Sequence, residues 1–215
     1  MPAFREPTPY AAYRFAVHGS RLLFGAGWAE LVRGGSYIPA TGPALILANH
    51  ESYFDPLLVC HLTWRPIVWA AKEELFEVWH GWLFPRLNCI PVKRGTADRA
   101  LFRRAGQVLA NGGLFGLFPE GTRSPDGEMQ PFQAGALAIA ARAGVPIVPV
   151  GIAGTFQALP RQGGVRRARI GVQAGRPLRF APFEPHGRRG KRALEVLSRR
   201  VWEEVARLRA EIRAR

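Results

Sequence analysis

Two residues of this sequence, His50 and Asp55, have the types and the spacing of a proton-transfer pair. An imidazole can take a proton from a substrate near neutral pH, and a nearby carboxylate can fix its tautomer and its direction. A structural alternative stays open, because Asp55 precedes Pro56 and an aspartate before a proline commonly begins a helix. The pair alone is therefore compatible with either a general base or a helix start.

A second group of polar residues suits the binding of an anion. It combines a carboxylate, a hydroxyl and a guanidinium around one glycine, at Glu120, Gly121, Thr122 and Arg123. A guanidinium presents a planar fork of N–H donors that matches a phosphate better than a point charge does. The alternative is a turn with incidental charges, since residues 125–127 read Pro-Asp-Gly, which is a turn pattern.

Both groups directly follow short apolar runs, at 44–48 and at 114–118. Runs of this length, rich in aliphatic residues and bounded by glycine or proline, predict buried strands. Open α/β sheets bind their ligands beyond the carboxyl ends of their strands. The sequence therefore predicts that His50 and the 120–123 group lie at strand ends, where a ligand would bind.

Strands and helices alternate along the rest of the chain. Apolar runs predict three more strands, at 67–71, 145–152 and 169–174. Helical patterns predict three helices, at 99–109, 133–142 and, with an amphipathic spacing, about 191–212. This alternation predicts an α/β fold, namely a single-domain sandwich over residues 31–215 in which a mostly parallel or mixed sheet is flanked by helices.

Residues 1–30 are expected to form an N-terminal amphipathic segment that associates with a membrane. Aromatic and aliphatic residues between Tyr10 and Trp28 are interleaved with Arg14, His18 and Arg21. These polar residues interrupt any stretch of the about 20 mainly apolar residues that a spanning helix needs. The pattern predicts a helix lying on the membrane surface, with a core helix packed on the α/β body as the alternative.

The composition favours an anionic partner. The formal net charge of +14 comes almost entirely from arginine, because the chain has only three lysines, Lys72, Lys93 and Lys191. Codon bias is one source of such a surplus, and attraction to anionic lipid or to nucleic acid is another. No nucleic-acid-binding module accompanies the basic clusters, so an anionic membrane surface is the expected partner and nucleic acid is not.

The two cysteines, Cys60 and Cys89, lie far apart and lack the spacing of metal ligands. They predict neither a disulfide framework nor a zinc site, and they fit a reducing compartment. A Gly-x-Ser-x-Gly elbow is also missing from the sequence, so a covalent serine nucleophile is not indicated.

Four blocks of the sequence, in order, resemble the glycerolipid acyltransferase family, the 1-acyl-sn-glycerol-3-phosphate (lysophosphatidic acid) acyltransferases. The first block reads Asn-His-x-Ser-x-x-Asp from Asn49 to Asp55, and the second is Arg94 after a short apolar stretch. The third reads Phe-Pro-Glu-Gly-Thr-Arg-Ser from Phe118 to Ser124, and the fourth is the proline-punctuated run 145–152. The resemblance covers residues 31–152.

The resemblance implies an O-acyltransferase that moves a fatty acyl group from acyl-CoA or acyl carrier protein to the free hydroxyl of a lysophosphatidic acid-like acceptor. His50 would be the general base and Asp55 would orient it. Lys72 would stabilise the tetrahedral oxyanion, with a solvated charge at a helix start as its alternative. The acceptor phosphate would be bound by the remaining motif residues, Arg94, Glu120, Gly121, Thr122 and Arg123. Neither a cofactor nor a metal is implied.

Gln133 departs from the family pattern, because it stands where the family usually has a lysine, and it changes the charge beside the third block. Two rival functions therefore remain: an acyltransferase of the same fold with another lysolipid acceptor, and a non-catalytic basic protein that binds lipid or nucleic acid. The expected location is peripheral, at the cytoplasmic face of the cell membrane.

Overall fold

The structure, a computed structural model, describes residues 10–77, 88–92 and 99–215. Within these ranges seven strands form one sheet: β1 Ala29–Arg33, β2 Ala44–Ala48, β3 Ile67–Lys72, β4 Cys89–Val92, β5 Leu114–Leu117, β6 Ile147–Ala153 and β7 Arg169–Ala174. The helices are α1 Tyr10–Gly27, α2 Asp55–Cys60, α3 Arg99–Ala110, α4 Ala134–Ala143, α5 Thr155–Ala158 and α6 Gly187–Arg213, with short 3₁₀ turns at Gly35–Tyr37 and Glu73–Phe76.

The sheet is mixed, with the strand order β1-β7-β6-β2-β5-β3-β4. β6, β2, β5, β3 and β4 run parallel to one another, β7 is antiparallel to β6, and β1 is parallel to β7. Leu45 of β2 lies opposite Phe115 of β5 and Ile147 of β6. The carboxyl ends of these three strands therefore meet at one edge, and the predicted α/β sandwich is confirmed.

Both faces of the sheet are covered, which explains why its central strand is apolar throughout. Ala44, Ile46 and Ala48 of β2 pack in the core beneath α1 and α2. Leu45 and Leu47 point to the other face and pack in a second core with α3, α4 and α6. All five residues of β2 are fully buried, so this strand is a rigid base for the residues that follow it.

The long C-terminal helix α6 lies directly on the sheet. The predicted apolar stripe is buried there, through Leu194, Leu197, Val201 and Val205. Gly151 of β6 permits the close approach, because a Cβ at this position would lie 2.6 Å from the backbone nitrogen of Arg209. The crossing therefore carries Arg209 to the carboxyl end of the central strands.

Helix α1 has two apolar faces. Tyr13, Val17 and Phe24 are buried in the same core as the sheet. One face of α1 therefore packs on the α/β body, which was the predicted alternative to a membrane-surface helix. Phe15 and Leu22 on the other face are 82% and 76% exposed. Among the described residues, no helix is long and apolar enough to cross a bilayer. The membrane-surface role of the segment stays a prediction.

Candidate active site

His50 follows the central strand through a turn that Asn49 anchors. The Asn49 side chain continues the pairing with β6, because its Nδ2 donates to the Ile152 carbonyl at 2.9 Å and its Oδ1 accepts from the Ile152 N–H at 2.8 Å. The chain can thus leave the sheet without orphaned polar groups. His50 Nδ1 lies 2.8 Å from Asp55 Oδ2, and the carboxylate is fully buried while the imidazole is 12% exposed. The spacing seen in the sequence becomes a direct hydrogen bond.

The Asp55 carboxylate is held by four donors. Its Oδ2 accepts from the backbone N–H groups of Glu51 and Ser52 at 2.6 and 2.7 Å, as well as from His50. Its Oδ1 accepts from the Thr155 hydroxyl at 2.6 Å. Asp55 is the first residue of α2, yet its side chain is directed back to residues that precede it, so the helix-start alternative does not describe its role.

These contacts also fix the histidine tautomer. Two backbone N–H groups can only donate to Asp55 Oδ2, so this oxygen acts as an acceptor toward His50 as well. In the neutral imidazole the proton therefore sits on Nδ1, and Nε2 presents its lone pair. This is the orientation that a general base requires.

The plane of the imidazole is set by an aromatic stack. The His50 ring lies parallel to that of Phe118, with 4.0 Å between their centroids and 14° between their planes. Phe118 in turn stacks on the buried Trp69 at 4.8 Å and 12°. The base thus rests on a wall of rings that comes from β3 and from the end of β5.

Glu120 joins the two motif loops. One carboxylate oxygen accepts from the His50 N–H at 2.8 Å and the other from the Gln130 N–H at 3.2 Å. In the opposite direction, the Ser124 N–H donates to the His50 carbonyl at 2.7 Å. Burial, with a smaller contribution from the charges of nearby Asp55 and Glu51, raises the pKa of Glu120 to about 7. Its described contacts place it as a brace between the loops, and its predicted part in phosphate binding stays a prediction.

Gly121 allows the third-block loop to turn tightly. Its φ of 75° is left-handed, and a Cβ would lie 2.4 Å from Gln133 Nε2. The same Nε2 donates to the Glu120 carbonyl at 3.4 Å. The residue that departs from the family pattern therefore supports this loop through a neutral amide, where a lysine would add a positive charge.

Arg123 lies over the loop that carries the base. Its Cζ is 3.7 Å from the centroid of the Tyr53 ring, and Tyr53 lies between His50 and Asp55 in sequence. Stacking on an aromatic face holds a guanidinium in one orientation while leaving its edge donors available. Thr122, next to it, is partly exposed. The fold thus brings the predicted phosphate ligand and the predicted base to one edge of the sheet.

The two remaining cations predicted for the site are Lys72 and Arg94. Lys72 ends β3, and its ammonium pairs with Glu74 at 2.8 Å, with the side chains 41% and 61% exposed. Such an exposed pair contributes little free energy, so the oxyanion role of Lys72 stays a prediction. Arg94 lies outside the described residues.

Three residues of the site were missed at the level of sequence: Glu51, Thr155 and Arg209. The Glu51 carboxylate is buried and accepts from Arg209 Nε at 2.9 Å and from the Phe156 N–H at 3.3 Å. Burial, and secondarily the charge of Asp55, raises the pKa of Glu51 to about 7, while Arg209 opposes the shift. A signal existed for two of them, because Thr155 follows an apolar strand and Arg209 interrupts the apolar face of α6 four residues after Val205.

The described residues contain no group of three or more His, Cys, Asp or Glu side chains that could hold a metal ion. Neither Cys60 nor Cys89 forms a disulfide.

Known proteins are similar in sequence to the central part of the chain. The sequence model of the Acyltransferase family matches residues 31–153. The 1-acyl-sn-glycerol-3-phosphate acyltransferase of Pseudomonas aeruginosa is 35% identical over 141 residues, which cover 64% of this chain and 53% of that protein. The human alpha enzyme of the same name is 34% identical over 125 residues, 55% of this chain and 44% of that protein. The chain thus spans about half the length of these relatives.

The similarity to a solved structure extends further. The crystal structure of the 1-acyl-sn-glycerophosphate acyltransferase of Thermotoga maritima superposes with a TM-score of 0.76 at 31% identity, and the alignment covers 95% of this chain and 79% of that one. The shared fold therefore reaches beyond the motifs, to the last strand and the last helix. The motifs lie together at one edge of the sheet, and the family model matches more than half of the chain. The resemblance seen in the motifs is therefore confirmed, and the chain belongs to the acyltransferase family.

Proposed function

We propose that the protein transfers a fatty acyl group from an acyl thioester to the free hydroxyl of a lysophosphatidic acid-like acceptor, giving phosphatidic acid. The observation that carries the proposal is the His50–Asp55 hydrogen bond of 2.8 Å beside the central strand. The Pseudomonas and human relatives are named for the acceptor 1-acyl-sn-glycerol-3-phosphate, and this supports the choice of acceptor.

In the proposed reaction the acceptor hydroxyl attacks the thioester directly, and His50 transfers the proton. Nε2 takes the hydroxyl proton while the oxygen attacks the thioester carbonyl carbon, and a tetrahedral intermediate forms. When this intermediate collapses, the C–S bond breaks, the new ester forms, and the imidazolium returns its proton to the thiolate. Asp55 stabilises the transient imidazolium, and a positioned base of this kind contributes about 10²–10⁴-fold in rate. Either acyl-CoA or acyl carrier protein supplies the thioester.

Arg123 and Arg94 are the proposed ligands of the acceptor phosphate. Arg123 supports this role because its guanidinium is already oriented by Tyr53 next to the loop of the base. Lys72 is the proposed donor to the oxyanion. To take this role it must break its ion pair with Glu74, and because that pair is exposed, breaking it costs little free energy.

The proposed location is a membrane surface at the cytoplasmic face, reached through the outward face of α1. Phe15, Leu22 and Leu23 on this face are 82%, 76% and 69% exposed. Beside them, the guanidinium of Arg21 lies over the Trp64 ring at 3.9 Å. Exposed apolar side chains bordered by cations and a tryptophan are typical of a helix that lies on anionic lipid.

The test is release of free thiol from an acyl thioester over a panel of lysolipids, with the ester product identified by mass. Turnover with lysophosphatidic acid supports the proposal. Turnover with another lysolipid alone corrects the acceptor. No turnover with any lysolipid, together with salt-sensitive binding to nucleic acid, would instead support the non-catalytic alternative.

A further inference from the structure

One buried guanidinium, that of Arg209, binds both motif loops at once. Its Nε donates to Glu51 Oε1 at 2.9 Å, on the loop that follows β2 and carries the base. Its Nη1 donates to Glu128 Oε2 at 3.0 Å, and its Nη2 donates to the Gly127 carbonyl. These two residues lie on the loop that follows β5 and carries Arg123. Arg209 itself belongs to α6, outside the range that the family model matches.

The residue that Arg209 holds on the base side, Glu51, is directly bonded to the proton-transfer pair. Its backbone N–H donates to Asp55 Oδ2 at 2.6 Å, so any movement of Glu51 moves the oxygen that orients His50. Its Oε2 lies 3.5 Å from the Thr155 hydroxyl that bonds Asp55. A displacement of Glu51 therefore shifts Asp55, and with it the imidazole, both through the Glu51 N–H and through the Thr155 hydroxyl.

Arg209 also supplies the positive charge among three carboxylates. Glu51, Asp55 and Glu120 are all buried, and the charges of Asp55 and Glu51 act on Glu120 as well. The groups that face Glu51 from the packed elements are Asp55 of α2, Thr155 and the Phe156 N–H of α5, and Arg209 of α6. Arg209 is the cation among them. Without it, burial would favour the protonated form of Glu51 near neutral pH.

We propose that Arg209 is a positioning residue of the acyl-transfer site, which fixes the loop of the base against the loop of the phosphate arginine and balances the carboxylates beside His50. The inference rests on the proposed function. A guanidinium suits the task because three of its nitrogens donate in three fixed directions, whereas the ammonium of a lysine is a single centre that cannot reach all three acceptors.

The chain offers a matched control on the same helix. Arg207 pairs with Glu204 at 2.7 Å and with Glu211, and its side chain is 53% exposed. Arg207→Met removes the same charge and shape as Arg209→Met without touching either motif loop. Arg213→Met is a second control, because Arg213 bonds Glu128 at 3.0 Å and Gly127 at 3.3 Å, and among the described residues it makes no bond to Glu51.

The first measurement is kcat/KM per folded molecule, with the folded fraction taken from thermal unfolding. Arg209→Met is expected to lose roughly ten- to a hundredfold, the size of effect that misplacement of a catalytic group produces. Arg207→Met is expected to stay within about twofold. Arg209→Lys should recover little of the lost kcat/KM. If Arg209→Met does not fold, Arg209→Lys takes its place in the test. Wild-type kcat/KM in folded Arg209→Lys would overturn the proposal.

The second measurement is the pKa of the Glu51 carboxyl, followed by carbon-13 NMR. Arg209 opposes the rise in this pKa that burial causes, so Arg209→Met should raise the pKa of Glu51 further. Arg207→Met should leave it unchanged. An unmoved Glu51 pKa in Arg209→Met contradicts the charge-balancing part.

The third measurement does not depend on turnover. Nitrogen-15 NMR of the His50 ring should show the proton on Nδ1 in the wild type and a mixture of tautomers in Arg209→Met. A wild type that transfers no acyl group would defeat the proposed function, and the NMR comparison would still test Arg209. Loss of stability in Arg209→Met, with the tautomer and the turnover per folded molecule unchanged, would make Arg209 a structural residue only.

Discussion

The base side and the phosphate side of the site are built in different ways. His50 and Asp55 are bonded on several sides, by backbone N–H groups, by the Thr155 hydroxyl and by an aromatic stack. Arg123, in contrast, rests on the ring of Tyr53, which is 48% exposed. The proposed general base is held in a fixed geometry, whereas the proposed ligand of the acceptor phosphate stays accessible.

This difference separates two kinds of mutational effect. Changes to the buried groups that hold His50, such as Asp55, should cost both turnover and stability, because they leave buried polar atoms without partners. Changes on the phosphate side should cost affinity for the acceptor and little stability, because the groups there already face solvent.

The largest effect is expected at the base itself. His50→Ala should reduce kcat by at least about a hundredfold, because no group remains to take the hydroxyl proton. The thermal unfolding midpoint should change little, since Glu120 keeps its bond to the backbone N–H of residue 50. His186→Ala, the same substitution at an exposed site, is the control and should keep full activity. Near-wild-type kcat in a folded His50→Ala protein would end the general-base hypothesis.

Asp55→Asn should reduce kcat on the order of a hundredfold and also destabilise the fold. An amide can donate to His50 and so favours the wrong tautomer. Its single acceptor oxygen cannot serve all the donors that now meet the carboxylate, and an unsatisfied buried donor costs about 1–3 kcal/mol in free energy of unfolding. Urea denaturation and steady-state kinetics measure the two effects. Asp126→Asn, on an exposed turn, should show neither, and equal effects at both positions would contradict the comparison.

Arg123→Ala should raise the KM for a phosphorylated acceptor roughly ten- to a hundredfold, because it removes charge-assisted hydrogen bonds. The KM for the thioester and the unfolding midpoint should stay unchanged. Arg123→Lys should recover little, since an ammonium cannot reproduce the guanidinium fork. A monoacylglycerol acceptor without phosphate is the control, and equal losses with both acceptors would assign Arg123 to the fold or to the donor.

The smallest effect on catalysis is expected from the outward face of α1. The triple variant Phe15→Ser, Leu22→Ser and Leu23→Ser should release the protein from anionic vesicles and leave turnover of a detergent-dispersed acceptor within about twofold. Phe24→Ser is the contrast, because Phe24 is buried against Trp28 and Phe54 and its loss should cost about 3 kcal/mol or more in stability. If the folded triple variant still sediments with vesicles, another part of the chain attaches the protein to the membrane.

Five of the seven strands that the structure describes, and the meeting of the two motif loops, could be predicted from local sequence, whereas β1 was not predicted and β4 was recognised only as a short apolar stretch. The runs at 44–48 and 114–118 are short and uniformly apolar, and polar residues directly follow them, so the strand ends are visible in the sequence itself. The outward face of α1 was harder to predict. Ser20 lies on the buried face, where it bonds His61 at 2.8 Å, and a polar residue there hides the division between the packed stripe and the exposed one.

The bracing of the site could not be predicted in the same way. Glu51 and Arg209 are separated by 158 positions, and they meet only because α6 crosses the sheet at Gly151. The position of Arg209 within the apolar stripe of α6 indicates that it is buried, but nothing in the local sequence identifies Glu51 as its partner. Local patterns predict which residues end a strand, but not which distant helix will lie across that end.

The stack of His50 on Phe118 has a consequence for the charge that forms during turnover. An aromatic ring has a quadrupole whose negative lobes lie above and below its plane, and the imidazole lies over one of them at 4.0 Å. In the proposed reaction Nε2 takes the substrate proton, and the ring would then be a cation facing this lobe, an arrangement worth about 2 kcal/mol or more where water is excluded. Phe118 would thus be an uncharged counterpart to Asp55: it would favour the imidazolium without adding a formal negative charge to the proposed phosphate site.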